Sequence, residues 1–468
     1  MNIVFCSSEV FPFVKTGGLA DVCGALPLAL ERLGMEVSIF LPRYKDIKPD
    51  QHPLEKINNR VSKTRLGKNI QVYLIEQAKY YQREGLYGDA SGDYPDNLER
   101  FQYFCRQTLE VWKQLKLKVD IVHCHDWQTA LIPVYLKEKF GKDSFYAGIK
   151  TVLMIHNLAF QGIFPRQAYP LLGLKDELFN PQTFEYYGQI NLLKAGIIYS
   201  DQVTTVSRRY AKEIQTKQFG CGLDGVLKSR RDEIVGILNG LDTDVWNPEK
   251  DPLIAKRYSS DDFIELKQEN KRCLQESFKL PSCEDNPVFG FVGRLSHQKG
   301  VDLLLEVMGA MAASSLQMIV LGLGEKEHIL RLTEMAERNP KKIAVRFAFD
   351  EKTAHQIYAG SDLLLMPSCF EPCGLSQMIA LRYGTIPVVY KTGGLADTVV
   401  PFDPSSLHGN GFLFEEYTPA AFLTMINRAI KVYGDKKKFS RLVRNAFQCD
   451  FSWDKSAGIY ARLYKNLL

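Results

Sequence analysis

The sequence predicts an α/β protein made of two doubly wound parallel sheets that face each other across a cleft. Three observations carry that prediction. Short β-branched apolar runs alternate with helix-spaced apolar residues along almost the whole chain, which is the pattern of parallel sheets covered on both faces. The runs fall into two series, separated by the turn-rich link NGLDTDVWNPEKDP at Asn239 to Pro252. One seven-residue segment, KTGGLAD, occurs in each series, at Lys15 to Asp21 and at Lys391 to Asp397.

The first series opens on NIVFCSSEV, Asn2 to Val10, a strand that leads through the first KTGGLAD into Leu19, Val22, Cys23, Leu26 and Leu30 at helical spacing. It continues through DIVHCHDW (Asp120 to Trp127), TVLMIHNLAFQG (Thr151 to Gly162) and DQVTTVS (Asp201 to Ser207), and closes near EIVGILNG. The second runs from PVFGFVGRL (Pro287 to Leu295) through LQMIVLGLG, IAVRFAFD, SDLLLMPS and IPVVY. The second KTGGLAD follows that last strand directly, ahead of Leu395, Thr398, Val399 and Val400. The expected domains are 1–238 and 239–454, with a helix over 455–468 crossing back to the first. Paired glycines at a strand-to-helix junction allow a tight turn with positive φ, and the helix start offers unpaired N–H groups to an anion.

At 468 residues and 45% hydrophobic, the chain has material for two cores. Its 59 Lys and Arg against 54 Asp and Glu give a net charge of +5 without a basic arm, which points away from nucleic acid. Ten cysteines without a CxxC pair read as reduced thiols. With no basic leader and no run of about 18 apolar residues, neither secretion nor a membrane span is expected.

Ligands of open parallel sheets bind beyond the carboxyl ends of the strands, so the chemistry is sought in the strand-to-helix loops. FVGRLSHQKG places Arg294 just after a strand and Lys299 five residues later at a helix mouth, where both can converge on a diphosphate. A solvated turn is the plainer reading of the same residues. SCFEPCGLSQM supplies Glu371 ahead of a glycine-opened helix; the carboxylate accepts hydroxyl protons and the Cys373 to Ser376 amides donate, which suits a polyhydroxylated ring, although helix capping would use the same residues. His156 and Asn157 end another strand. A metal site could be drawn from His123, His125, Asp126 and His156, but strand-end His and Asp more often hold loops by hydrogen bonds. Asp242 and Asp244 form a DxD in the link, where a turn role is expected.

In order along the chain, KTGGLADV, YPDNLERF, HCHDW, HNLAFQG, NGLD, GRLSHQKG, FEPCGLSQ and TGGLADTV resemble the motifs of the bacterial glycogen synthase and plant starch synthase family. The resemblance covers nearly the whole chain. It implies the GT-B fold of two Rossmann-like domains and transfer of glucose from ADP-glucose, or UDP-glucose, to an α-1,4-glucan with retention of configuration. It implies no cofactor, no metal, no nucleic acid or membrane partner, and a cytoplasmic setting, or plastid stroma where a transit peptide has been removed. Lys15 and Gly18 would reach the sugar nucleotide from one side, with Arg294 and Lys299 on its diphosphate from the other. His156 would contact the glucose near its 6-hydroxyl, Glu371 with Cys373 and Gly374 its 3- and 4-hydroxyls, and Phe349 the nucleobase. Asp21, Asn157, Asn239, Leu375, Ser376, Gly393 and Gly394 complete the expected contacts. Many related retaining transferases carry a second glutamate eight residues after the first, where this chain has Ile379.

Three competing functions share parts of this pattern. A nucleotide-dependent dehydrogenase would need G-x-G-x-x-G after the first strand, and here the glycines are adjacent. A glucan phosphorylase would carry lysine-bound pyridoxal phosphate. A noncatalytic glucan-binding protein would release no nucleotide from a sugar-nucleotide donor.

Overall fold

The computed structural model describes residues 1–468 and divides into two compact units, Met1–Gly240 with Trp453–Leu468, and Leu241–Ser452. The first is built on a nine-stranded sheet. Its strands run, in spatial order, Ile234–Gly236, Gln202–Thr205, Lys150–Ile155, Ile121–His125, Asn2–Cys6, Glu36–Pro42, Ile70–Ile75, Val61–Leu66 and Glu55–Lys56. All pair in parallel as far as Ile70–Ile75, and the last two turn antiparallel at the edge. The central strands are buried on both faces, which is why they read as continuous apolar runs. In Val61–Leu66, next to the edge, the buried positions are interrupted by the half-buried Lys63 and the exposed Arg65.

The second unit carries six parallel strands in the order Ile343–Arg346, Gln317–Leu321, Val288–Val292, Leu363–Met366, Ile386–Tyr390 and Phe412–Phe414. Consecutive strands alternate with helices, and one large apolar core fills the space between them. In the first unit the closing helix Trp453–Leu467 packs against the helix Gly18–Arg32. Arg32 pairs with Asp454, and the Tyr464 hydroxyl lies 2.7 Å from His123 Nδ1 on the central strand Ile121–His125.

The two KTGGLAD copies share a strand-to-helix position but differ in backbone. In the first, neither glycine takes positive φ: Gly17 is extended at −156° and Gly18 begins the helix Gly18–Arg32. A Cβ at either would meet nothing within 4 Å. In the second, Gly393 has φ of 42°, and a Cβ there would lie 1.9 Å from the Glu371 carbonyl oxygen. A Cβ on Gly394 would lie equally close to the Cys373 carbonyl oxygen. The helix that follows, Gly393–Thr398, is short, and Val399 and Val400 leave it. One pair of glycines therefore faces open space, and the other is filled by the protein's own backbone.

The contrast gives unequal expectations for alanine. Gly394→Ala should destabilise the chain by about 1–3 kcal/mol, since backbone must move to admit the methyl group. Gly17→Ala should stay within about 0.5 kcal/mol of wild type. Chemical unfolding of both variants checks this, and equal losses would contradict the packing difference.

Candidate functional site

In the first unit the loop from Ser7 to Gly17 is organised by Glu9, only 3% exposed. Its carboxylate accepts from the Thr16 backbone N–H, from the Thr16 hydroxyl at 2.6 Å and from the Gly17 N–H at 3.2 Å. The Tyr87 hydroxyl adds a fourth donor at 2.6 Å, and burial beside Glu9 holds that phenol well above its ordinary pKa, so it stays a donor. Four donors on one buried carboxylate fix the backbone on which Lys15 stands. Lys15 itself is partly exposed and pairs with Asp21 at 2.7 Å, in the first turn of its own helix. Glu9 is the loop-organising residue that motif reading passed over, although an acid at the end of an apolar run just ahead of a glycine loop is a usable signal.

On the next two strands of the sheet, Asp126 and His156 meet at the ends of Ile121–His125 and Lys150–Ile155. The Asp126 carboxylate accepts the His156 backbone N–H at 2.7 Å. Burial raises the Asp126 carboxyl to about 7, against the backbone donors of His156 and Asn157 that favour its charged form. His156 Nε2 lies 2.9 Å from His125 Nδ1. Burial lowers His156 and His123 to about 3 and His125 well below its ordinary value, so all three imidazoles are neutral at physiological pH. The expected loop-holding role of strand-end His and Asp is visible in these bonds. No group of three or more His, Cys, Asp or Glu side chains is arranged around a common metal position. Asn157 Oδ1 accepts the Ala159 N–H, and Asn239 is buried with its side-chain oxygen unbonded.

In the second unit three loops converge on Glu371. Lys299, at the end of the short turn His297–Lys299, donates to the Glu371 carboxylate, and the Ser368 hydroxyl donates to the same oxygen at 3.1 Å. The Cys369 N–H bonds the Gln298 carbonyl at 3.0 Å, tying the two loops together through backbone as well. Gly300, at φ of 71°, lets the turn approach the Pro367 carbonyl, which a Cβ would reach at 2.0 Å. On the other side Gly394 N–H donates to the Glu371 and Pro372 carbonyls at 3.1 and 3.2 Å. The second KTGGLAD thus holds the Glu371 loop.

Arg294 extends its guanidinium to Gln298 Oε1 at 3.0 Å within the same loop. Gly374 is left-handed at φ of 73°, and Gln377 Nε2 donates back to the Cys373 and Gly374 carbonyls at 3.1 and 2.9 Å, fixing the approach to Leu375 and Ser376. Phe349 is 93% exposed after the strand Ile343–Arg346. Of the sequence-expected residues, the structure brings Lys299, Glu371, Gly393 and Gly394 into one cluster and places Arg294 on the loop that reaches it. Lys391 is apart from it, paired with Glu415 at 2.7 Å on the surface. In the link, the Asp242 carboxylate accepts the N–H groups of Asp244 and Val245 at 2.9 and 3.2 Å, the turn role expected of it.

Comparison with known proteins finds similar chains. Residues 2–229 match the family described as starch synthase catalytic domain, and residues 274–448 match glycosyl transferases group 1. A glycogen synthase of Syntrophotalea carbinolica is 45% identical over 99% of this chain and 98% of its own. One of Bacillus cereus strain Q1 is 46% identical over 100% of both. The solved catalytic domain of starch synthase IV from Arabidopsis thaliana, bound to ADP and acarbose, is 34% identical, covers 99% of both chains and superposes with a TM-score of 0.89. A sucrose-phosphate synthase from Thermosynechococcus elongatus, at 18% identity over 100% of this chain and 98% of its own with a TM-score of 0.61, shares the fold. With two parallel-sheet units, both family matches and full-length relatives in hand, the chain belongs to the glycogen synthase and starch synthase family of GT-B glycosyltransferases.

Proposed function

We propose that this protein transfers glucose from ADP-glucose to the non-reducing end of an α-1,4-glucan with retention of configuration. The observation that carries the reading is the Lys299–Glu371 pair at the carboxyl ends of adjacent parallel strands, with Arg294 on the same loop. A departing nucleoside diphosphate leaves negative charge on its oxygen, and fixed cations stabilise that charge without reorganising. Lys299 and Arg294 supply them in the second unit, and Lys15 in the first.

Glu371 suits the sugar rather than the anomeric carbon. One carboxylate oxygen is already engaged by an ammonium and a hydroxyl. An anion so neutralised is a poor nucleophile, yet it still accepts hydrogen bonds from ring hydroxyls. Retention without a carboxylate nucleophile is then met by front-face attack, in which the leaving phosphate takes the acceptor's proton. The choice of ADP draws on the Arabidopsis starch synthase, whose solved structure holds ADP. His156 is placed on the donor glucose and Phe349 on the adenine. The ten free cysteines accord with a reducing cytoplasm.

The deciding assay is release of ADP and of UDP from the two glucose donors with glycogen present. ADP release with equal incorporation of glucose is expected; UDP release alone would move the donor assignment, and neither would defeat the reading. In the same assay Glu371→Gln should lower kcat by about 10² with the fold retained, because the hydroxyl contact strengthens as charge develops.

The two lysines of the repeated segment separate under this reading. Lys15→Ala should lower kcat/KM by about 10- to 10³-fold, the scale of one charged contact in a transition state. Lys391→Ala removes only a solvent-exposed ion pair and should leave turnover near wild type. Equal losses, or the larger loss at Lys391, would reverse the assignment.

A further inference from the structure

We propose that His125 is a positioning residue. Its Nδ1–H donates to His156 Nε2 and fixes His156 as the Nδ1–H tautomer, so that this ring offers a hydrogen-bond donor to a hydroxyl oxygen of the glucosyl ligand. The proposal rests on the placement of His156 beside the donor sugar under the function proposed above.

The argument starts from one shared proton. His125 Nδ1 and His156 Nε2 are 2.9 Å apart, and both rings are neutral, so one nitrogen of the pair donates and the other accepts. What lies on the far side of His125 chooses between the two arrangements. Its Nε2 is buried and has no hydrogen-bond partner. The ring stacks on Phe5 with centroids 5.3 Å apart and planes 25° apart, and the His123 ring lies 4.5 Å away. His123 does not compete for the shared bond, because its Nδ1 turns to the Tyr464 hydroxyl.

If His156 donated, His125 would carry its proton on Nε2, leaving an N–H that meets no acceptor beside the Phe5 and His123 rings. Orphaned buried N–H groups are rarer than under-satisfied acceptors, so the proton belongs on His125 Nδ1 and the bare lone pair on Nε2. His156 Nε2 is then an acceptor, and a neutral imidazole that accepts at Nε2 is protonated at Nδ1. That nitrogen is the one left for a ligand.

The pair is rigid at both ends. Thr129 Oγ1 accepts the His125 N–H at 2.6 Å and donates to the His125 carbonyl at 2.9 Å. The His156 N–H is held by Asp126. These bonds fix the backbone at both residues, and the buried His125 ring is confined between the Phe5 and His123 rings. Two consequences follow for the chemistry of the site: His156 cannot act as a general base through Nδ1, and the ligand atom it meets is an oxygen lone pair.

Two-bond ¹H–¹⁵N correlation spectra of the ¹⁵N-histidine-labelled full-length enzyme distinguish the tautomers directly. Both His125 and His156 should show the Nδ1–H pattern. His125→Phe keeps a ring without the donor, and should release His156 to the Nε2–H form and lower kcat by about 10-fold, the scale of one hydrogen bond to an oriented group. His125→Asn places an amide donor near the position of Nδ1, and should keep the Nδ1–H pattern on His156 and recover most of the turnover. A role for His125 confined to packing would give the opposite ranking, with phenylalanine the better substitute. An Nε2–H pattern on His156 in the wild-type enzyme overturns the proposal, as does wild-type turnover in His125→Phe with the pattern unchanged. Should His125→Phe fail to fold, the wild-type spectrum and His125→Asn decide. Absence of glucosyl transfer by the wild-type enzyme would defeat the proposed function, whereas an active wild type with His156 in the Nε2–H form would defeat this inference alone.

Discussion

Glu371 is held on three sides by backbone and charge, and the second unit's loops are arranged around that constraint. Lys299 neutralises it from one loop, Ser368 steadies it from its own, and Gly393 and Gly394 bring a third loop against its carbonyl closer than any side chain would allow. Gly300 makes the same kind of approach to Pro367. The glycines do not serve flexibility here. They remove the Cβ atoms that would hold three strand-to-helix loops apart, and the bonds between the loops then turn a cluster of connections into one rigid surface.

The first unit solves the same problem with a buried carboxylate in place of close backbone contact. Glu9 gathers donors from Thr16, Gly17 and Tyr87, so the loop carrying Lys15 is stitched from inside while its glycines face open space. A buried carboxylate is tolerable because its acceptor sites are filled, and each donor would otherwise be an unsatisfied group near the surface. The repeated KTGGLAD is thus one junction used in two ways. In one copy the glycines leave room; in the other they are the packing.

Much of this was legible in the sequence, for a physical reason that also marks where reading stops. Central parallel strands are buried on both faces, so Ile121–His125, Val288–Val292 and Leu363–Met366 stand out as apolar runs, and the residues just after each run are cleanly marked as loop ends. The short edge strand Glu55–Lys56 is exposed and its neighbour Val61–Leu66 mixes polar with apolar residues, so neither stands out as an apolar run. The strand expected over Asn2 to Val10 stops at Cys6, where Ser7, Ser8 and Glu9 break the apolar run and Glu9 organises a loop. Positive φ was expected at the first glycine pair and occurs only at the second, since spacing shows that a junction exists but not which backbone approaches it. The histidine cluster was visible as a list of residues. Only coordinates show that its bonds run from ring to ring and to the closing helix.

The charges in the loops of both units share one more property. Lys15 rests on Asp21 and Lys299 on Glu371 of the neighbouring loop, so each cation is paired with a carboxylate of its own unit. A free ammonium would wander among rotamers, whereas a paired one keeps its position. Under the function proposed above, a diphosphate at these cations competes with their carboxylates instead of filling an empty charge. The ground-state gain is then modest, and the larger gain falls where negative charge grows beyond that of the resting diphosphate, on the oxygen leaving the sugar. An arrangement of that kind favours the transition state over the bound donor, which is what a transferase needs from its cations.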